Sequence, residues 1–190
     1  MNEIREVYTF GQNAYGELAH SDTTERHVPT LVEFCTQLSV TQVAAGNELT
    51  LILTDNGDVY SSGYNEAGNS QFATSGMLHQ TNKVGMLKPI EKLRGKNVIK
   101  IFAANGCEHV VALCASGDVY TFGFNARGQL GHGDTTSHAV PRQVSGLDRK
   151  FVTTVGCSYY HSIFACADDM EVYACGRNDY GQLGLGMNED

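Results

Sequence analysis

The sequence predicts an all-β protein with β-propeller architecture, built from about three four-stranded blades. A phrase of the form V-Y-x-x-G-x-N-x-x-G occurs in four copies, which begin at Val7, Val59, Val119 and Val172. A spacing of about 50 to 60 residues is typical of repeat architectures. Each period contains strand signals separated by glycine-rich turns and no helical pattern. Units of this kind bury their faces against their neighbours, so the periods indicate blades.

The third period shows the expected order of elements. The segment V-Y-T-F-G from Val119 combines β-branched and aromatic residues with a closing glycine, which predicts a strand that enters a turn. The stretch 124–136 is rich in glycine and asparagine and predicts a tight loop, and Pro141 begins a short edge strand, P-R-Q-V. Two alternating segments, 151–157 and 161–166, predict two further strands. Each period is therefore expected to hold four short strands and no helix.

The other periods align with the third through their inner strands. Val40, Val98 and Val152 occupy one position, and another apolar residue follows each of them three positions later. The second period is irregular, because its loop is longer and lacks the Leu-Gly pair that stands at 130–131. We expect a single propeller segment over 1–190, with repeats at 7–58, 59–118 and 119–171 and a partial repeat at 172–190.

These motifs resemble the regulator of chromosome condensation repeat. The resemblance rests on VYTFG-x-N-x-x-GQLG-x-GDT, the proline strand, V-x-x-V-x-C and the YYHS segment, and it spans essentially the whole chain. It implies a seven-bladed propeller, of which this chain would form a partial ring or a fragment of about three blades. The family often has tryptophan at positions that are occupied here by Phe10, Ser62, Phe122 and Cys175.

The resemblance also implies an order of strands within each blade. The Val-Tyr strand is expected to be the outermost strand of the preceding blade. Residues 172–176 would then complete the third blade, and residues 7–11 would belong to a blade whose other three strands are missing.

Composition and charge restrict the classes of partner and compartment. The formal net charge of −8, from 13 basic and 21 acidic residues, opposes a nucleic-acid backbone as a partner. One basic stretch, 83–100, departs from this balance and is interpreted as a solvated surface, with an acidic protein or a lipid surface as the alternative. No signal-peptide pattern and no apolar run of membrane-spanning length is present, so we expect an intracellular protein, cytoplasmic or nuclear. The six cysteines are expected to be reduced.

No residue pattern indicates a catalytic residue, a metal site or a cofactor. The repeated G-x-N-x-x-G differs from the dinucleotide-binding G-x-G-x-x-G, and no helix follows it. Its glycines are interpreted as turn residues and its asparagines as local hydrogen-bond partners of the backbone. His109 and His161 begin equivalent strands and are expected to tie neighbouring blades through backbone hydrogen bonds. The segment is therefore predicted not to be an enzyme, and any ubiquitin-ligase activity would lie outside it.

The loops that differ among the repeats are the candidates for partner binding, because propellers display such loops on a rigid ring. The candidate partner-binding residues are Asp22, Glu25, Arg26, His27, His79, Lys83, Arg127, His132, Asp134 and His138.

The resemblance implies two alternative functions. The first is a protein–protein interaction scaffold within a larger intracellular protein, such as a HECT-type or RING-type ubiquitin ligase. The second is guanine-nucleotide exchange on a small Ran-like GTPase, which requires a protruding hairpin that is not evident in this sequence. A third role in the family, ultraviolet sensing, depends on clustered tryptophans, and this chain has none. The interaction scaffold is therefore the favoured hypothesis.

An arc of about three blades is also expected to associate with itself. Unpaired strand edges and apolar blade faces would be exposed at its ends, and such surfaces tend to be covered by another chain. The predicted oligomer contact comprises Val7, Tyr8 and Phe10.

Overall fold

The computed structural model describes residues 6–63, 85–103, 109–167 and 170–186. These residues form thirteen β-strands and no α-helix. The strands are β1 Tyr8–Gly11, β2 Arg26–Leu31, β3 Val40–Gly46, β4 Leu49–Thr54, β5 Val59–Gly63, β6 Lys88–Pro89, β7 Val98–Phe102, β8 His109–Cys114, β9 Val119–Gly123, β10 His138–Gln143, β11 Val152–Cys157, β12 His161–Cys166 and β13 Val172–Gly176.

The strands form four antiparallel sheets that follow one another along the chain. The first sheet is β1–β2, the second is β3–β4–β5–β6, the third is β7–β8–β9–β10, and the fourth is β11–β12–β13. Two sheets therefore have the four strands expected of a blade. The all-β propeller architecture predicted from the repeats is confirmed.

The order of strands within a blade corrects one expectation. The Val-Tyr strand is the third strand and not the outermost, because the proline-containing strand that follows it pairs along its outer edge. Proline has no N–H to donate, so an outermost strand accommodates it without the loss of a ladder bond on its free side. The first sheet thus contains two strands of a blade among the described residues. The fourth sheet contains three.

Two local expectations are also corrected. The strand that was expected to begin at Pro141 spans His138–Gln143, since the chain pairs with β9 as soon as it leaves the preceding loop. Short 3-10 helices of three to five residues, at Glu33–Gln37, Glu91–Leu93 and Ser145–Leu147, connect each outermost strand to the next inner strand. Each of them contributes one buried apolar residue to the core.

The core lies between successive sheets. The first junction lies between the first and second sheets and includes Val7, Val32 and Ile52. The second junction lies between the second and third sheets, and the third junction lies between the third and fourth. Hydrophobic burial at such junctions is the main stabilising term in a repeat protein. Two hydrogen bonds also reinforce the second junction. The Gln42 side chain donates to the Ile101 carbonyl at 2.6 Å and accepts from the Ile101 N–H at 2.9 Å.

The glycine that closes each Val-Tyr strand permits a sharp exit from the sheet. Gly176 has φ +108°, and a Cβ atom there would overlap the backbone carbonyl of Tyr160. Only glycine avoids both the strained backbone and this overlap. We call the end of the sheets at which the Val-Tyr strands finish the upper face.

Candidate functional site

The loops that follow the Val-Tyr strands lie on the upper face, together with the turns between the first and second strands of each blade. This arrangement follows from the antiparallel order of the strands. The loops at 12–25 and 124–137 carry five of the ten predicted partner-binding residues, and three more lie in the first residues of the strands that follow these loops. His79 and Lys83 lie outside the described residues.

A buried asparagine holds each described loop in shape. The Asn125 amide donates to the carbonyls of Asp134 and Thr136, both at 3.0 Å, and its Oδ1 accepts from Leu130 N–H at 2.9 Å. Asn13 makes the corresponding bonds in the first loop. The repeated asparagine is thus the backbone hydrogen-bond partner that the sequence predicted.

An aspartate in each of these loops also accepts hydrogen bonds or ion pairs from neighbouring residues of the same segment. Asp22 accepts two hydrogen bonds from the Arg26 guanidinium, at 3.0 and 2.9 Å, and one from Thr24 N–H at 2.9 Å. The Arg26 side chain, and after it the Thr24 backbone, holds the pKa of the Asp22 carboxyl well below its usual range. Asp22 and Arg26, which are both candidate partner-binding residues, therefore stabilise the loop.

The equivalent loop of the third sheet substitutes a histidine for the arginine. His138 Nε2 and Arg142 both lie 3.6 Å from carboxylate oxygens of Asp134. The Thr136 N–H donates to Asp134 at 2.9 Å and lowers the pKa of that carboxyl. Asp134 and His138, which are both candidate partner-binding residues, therefore lie next to each other.

His132 is anchored to the strand below it. Its Nε2 lies 3.0 Å from the Thr121 hydroxyl, and its ring packs edge-on against His138 with centroids 5.2 Å apart. Burial, and then the charge of Arg142, lowers the pKa of His132. His20 has the same position in the first loop, 2.9 Å from the Thr9 hydroxyl, and its pKa is also lowered by burial. The prediction did not include His20, although the alignment of the two loops identifies it.

Three predicted residues have exposed side chains. Glu25 and His27 lie at the end of the first loop, and Arg127 lies at the tip of the loop after β9. These residues are accessible to a partner. Most of the other described candidates are committed to intramolecular contacts.

An aromatic cluster on the upper face was missed by the sequence analysis. We define it as Phe124, Tyr159, Tyr160, Arg177 and Tyr180. The rings of Tyr159 and Tyr160 are 4.5 Å apart, and those of Phe124 and Tyr160 are 6.3 Å apart. The Arg177 guanidinium lies 5.8 Å from the Tyr160 ring and 5.1 Å from the Tyr180 ring. Tyr159 is 45% exposed and Tyr180 is 81% exposed.

Electrostatic contacts orient the arginine in the aromatic cluster. Arg177 Nε donates to both carboxylate oxygens of Asp179 at 2.7 Å, and its backbone N–H donates to the Tyr160 carbonyl at 2.8 Å. The Arg177 hydrogen bonds are the main cause of the lowered pKa of Asp179, and the charge of Arg127 adds to it. Arg127, which the sequence did predict, therefore acts electrostatically on Asp179, the carboxylate that orients Arg177.

The described residues hold no cluster of potential metal ligands, because no three of their His, Cys, Asp or Glu side chains converge. Burial raises the pKa of the Cys35 and Cys114 thiols to about 11 and that of Cys175 to about 12, the opposite of what a nucleophilic cysteine needs. The five described cysteines form no disulfide. Cys107 lies outside the described residues.

The predicted inter-blade histidine is in place, with one correction. His109 Nε2 lies 2.8 Å from the Ser162 hydroxyl of the next sheet, and that hydroxyl donates to the Gln129 carbonyl at 2.9 Å. The link to the backbone therefore passes through a serine side chain. Because the hydroxyl proton is directed at Gln129, the histidine Nε2 acts as the donor to Ser162.

The basic stretch lies mainly on the short helix and turn before β7. Lys92, Arg94, Lys96 and Lys100 are exposed, and Arg94 pairs with Glu91 at 3.2 Å. Lys96 also lies over the Tyr120 ring, 5.5 Å from its centroid. In the described part of the chain, no helix is long and apolar enough to cross a membrane.

Comparison with curated proteins identifies relatives that are much longer than this chain. The chain is 31% identical over 185 residues to the ultraviolet-B receptor UVR8 of Arabidopsis thaliana, and this match covers 97% of the chain and 40% of the receptor. It is 37% identical over 185 residues to the E3 ubiquitin-protein ligase HERC2 of Homo sapiens, covering 95% of the chain and 4% of the ligase. The chain thus spans less than half the length of these relatives.

Comparison with solved structures shows the same fold. Human WBSCR16 matches with a TM-score of 0.76 and 22% identity, over 98% of this chain and 46% of that one. Prp20p from Saccharomyces cerevisiae, whose structure was described together with its binding to Gsp1p and histones, matches with a TM-score of 0.72 and 20% identity, over 97% of this chain and 44% of that one.

The family profiles agree with the repeat periods. Two profiles of the regulator of chromosome condensation (RCC1) repeat match, one at residues 6–53 and 116–165 and the other at residues 40–69 and 152–182. Together they cover more than half of the chain. The chain belongs to the regulator of chromosome condensation (RCC1) repeat family.

Proposed function

We propose that this chain is a protein-interaction module that contacts its partner through the upper face. The observation that carries the proposal is the aromatic cluster, in which exposed tyrosines surround an oriented arginine. Tyrosine and arginine are enriched at the energetically dominant positions of protein interfaces. A tyrosine ring supplies contact area at a small cost in conformational entropy.

The loops that carry the cluster are held rigidly, which favours binding. The turn at Tyr159 and Tyr160 connects two paired strands, and Asn178 Oδ1 accepts from Leu183 N–H at 3.1 Å in the loop that carries Tyr180. Little further ordering is needed when a partner binds, so less free energy is lost on association. Exposed Arg127 extends the surface, and Glu25 and His27 provide polar contacts from the first loop.

The similarity to HERC2 suggests the setting in which such a module works. We propose that the propeller recruits a partner to a larger intracellular protein, such as a ubiquitin ligase, in which catalysis occurs in another domain. The other predicted residues within the described ranges, Asp22, Arg26, His132, Asp134 and His138, then support the binding loops. Cytoplasmic or nuclear localisation is part of this proposal.

The experiment compares two surface variants for partner capture. Tyr159→Ser combined with Tyr180→Ser removes the exposed rings of the aromatic cluster. Phe34→Ser removes an exposed aromatic ring from the opposite end of the second sheet, where it contacts Tyr60, and serves as the matched control. Proteins captured from an extract of the source cells are quantified by mass spectrometry, and the purified partner is then titrated by calorimetry.

We expect the double tyrosine variant to bind the purified partner at least about tenfold more weakly, as loss of an interface hot spot does. The Phe34 variant should bind as the unmodified protein does. Equal affinity of all three proteins for every captured partner would refute the role of the aromatic cluster.

Guanine-nucleotide exchange is the second candidate, supported by the structural similarity to Prp20p. A purified Ran-like GTPase loaded with a fluorescent nucleotide tests it directly. The interaction-module proposal predicts that the chain leaves the rate of nucleotide release unchanged. Acceleration that depends on chain concentration would instead establish exchange activity.

A further inference from the structure

One pentapeptide occurs twice in this chain in two different environments. The sequence V-Y-T-F-G forms residues 7–11 in the first sheet and residues 119–123 in the third. Tyr120 is 8% exposed and Phe122 is fully buried, whereas Tyr8 is 50% exposed and Phe10 is 62% exposed. Because the local sequence is identical, the difference arises from what packs against each strand.

The two complete junctions show what covers these rings. We call the side of a sheet that faces the preceding sheet its rear face, and the opposite side its front face. At the second junction, Tyr120 and Phe122 on the rear face of the third sheet pack in one cluster with Leu51, Leu53 and Val59 on the front face of the second. The rear face of the first sheet presents the same two aromatic side chains with no described sheet against it.

The front face of the fourth sheet is exposed in the complementary way. Val119 on the front face of the third sheet is 1% exposed, whereas Val172, its equivalent in the fourth sheet, is 65% exposed. Ile163 is only partly buried, although the equivalent Val111 is fully buried in the third junction. The chain thus displays one half of a blade junction at each end of the row of sheets.

We propose that the front face of the fourth sheet in one copy of this chain packs against the rear face of the first sheet in a second copy. Ile163 and Val172 would then cover Tyr8 and Phe10, as the equivalent residues do within the chain. Burial of these exposed apolar groups removes apolar surface from water and so stabilises the contact. The contact is heterologous, so the two copies associate head to tail.

The placement of Val7 refines the expected oligomer contact. Val7 is buried in the first junction, on the front face of the first sheet. It therefore stabilises the monomer, and the contact uses Tyr8 and Phe10 without it. A different arrangement, in which the free edges of two β1 strands pair with each other, would be isologous and would not involve Val172.

Two single variants, one at each end, distinguish these arrangements. Phe10→Lys blocks the rear face of the first sheet, and Val172→Lys blocks the front face of the fourth. Both residues are exposed, so the folded monomer should tolerate either lysine, and circular dichroism checks this. Phe34→Lys introduces the same charge at an exposed aromatic residue away from both faces. Mass is measured by sedimentation equilibrium in about 150 mM salt, where the repulsion between acidic chains is screened.

The head-to-tail contact predicts a specific pattern of masses. The unmodified chain and the Phe34 variant should associate beyond the monomer mass of 20.6 kDa. Each end variant alone should remain monomeric. An equimolar mixture of the two end variants should form a dimer, because the intact front face of one meets the intact rear face of the other.

The other outcomes overturn the proposal. If the unmodified chain is monomeric at every concentration, the two exposed faces do not bind each other. If Phe10→Lys is monomeric but Val172→Lys still associates, the contact is isologous and lies at β1. If the mixture of end variants stays monomeric while the unmodified chain associates, the two faces are not complementary.

Discussion

At the scale of single residues, the buried asparagines show why the loops of the upper face repeat so closely. One amide side chain satisfies two backbone carbonyls and one N–H that the loop turns inward. Backbone groups buried without such partners cost free energy, so the asparagine is required by the loop and not by a ligand. Exposed positions of the loops, such as those of Glu25 and Arg127, carry no such requirement.

Replacing Asn125 by alanine tests this interpretation. The change leaves the carbonyls of Asp134 and Thr136 and the N–H of Leu130 without their partner. We expect the free energy of unfolding to fall by about 2–4 kcal/mol, the range for loss of a buried hydrogen-bond network. Urea denaturation measures it, with the exposed neighbour Ala126→Ser as the control. A loss below about 0.5 kcal/mol would mean that water replaces the asparagine.

The lowered pKa of His132 predicts a dependence of stability on pH. A histidine whose pKa is lower in the folded than in the unfolded state stabilises the fold above the unfolded value of about 6.5. This contribution is lost as the pH falls through that value towards the lower folded pKa. The variant His132→Gln has no proton to gain, so it should lose less stability than the unmodified protein between pH 7.5 and 5.5. Identical pH profiles from urea denaturation would show that His132 titrates normally.

At the scale of elements, the second and third junctions each join two sheets through a different pair of side chains at equivalent positions. The third junction uses the polar pair His109 and Ser162, which lie 2.8 Å apart. The second junction has the apolar residues Leu49 and Val110 at the equivalent positions, within one core cluster. The fold therefore accepts either a hydrogen-bonded polar pair or a packed apolar pair, whereas a mixed pair removes the hydrogen bond from a buried polar group.

A double-mutant cycle measures this coupling. Ser162→Val alone should cost about 1–3 kcal/mol, because it removes the partner of buried His109 Nε2. The double variant His109→Leu and Ser162→Val reproduces the residues of the second junction, and its stability should lie within about 1 kcal/mol of the unmodified protein. Urea denaturation of all four proteins gives the coupling energy. Additive losses would show that the two side chains act independently.

Local sequence patterns predict individual strands, but they do not reveal how distant segments pair. The positions of strands such as β3, β9 and β12 followed from alternation and from the spacing of valines, because those signals are local. The position of the Val-Tyr strand within the blade could not be predicted in this way, because it depends on the edge along which a later segment pairs. The bond between Gln42 and Ile101 and the aromatic cluster join residues that are distant in sequence, so no local pattern reveals them.

At the scale of the whole molecule, stability is expected to vary along the row of sheets. In a repeat architecture each unit is stabilised mainly by its neighbours, so a sheet between two others opens less often than a sheet at an end. The first sheet contacts only the second in the described structure, whereas the third has a neighbour on each side. The upper-face loop that follows β9 thus rests on a more strongly supported sheet than β1 does.

The repeated pentapeptide allows this gradient to be measured without a correction for local sequence. Residues 7–11 and 119–123 are both V-Y-T-F-G, so the intrinsic exchange rates of their internal amides are matched. Strand β9 is paired on both sides, whereas β1 is paired only with β2 among the described strands. At a low protein concentration, amide hydrogen exchange followed by mass spectrometry should be slower in 119–123 by an order of magnitude or more. The denatured chain provides the control, in which the internal amides of the two segments should exchange alike.

Raising the protein concentration should slow exchange in 7–11 if a second copy covers Tyr8 and Phe10, and should leave 119–123 unchanged. Equal protection of both segments at low concentration would mean that the sheets unfold as one cooperative unit.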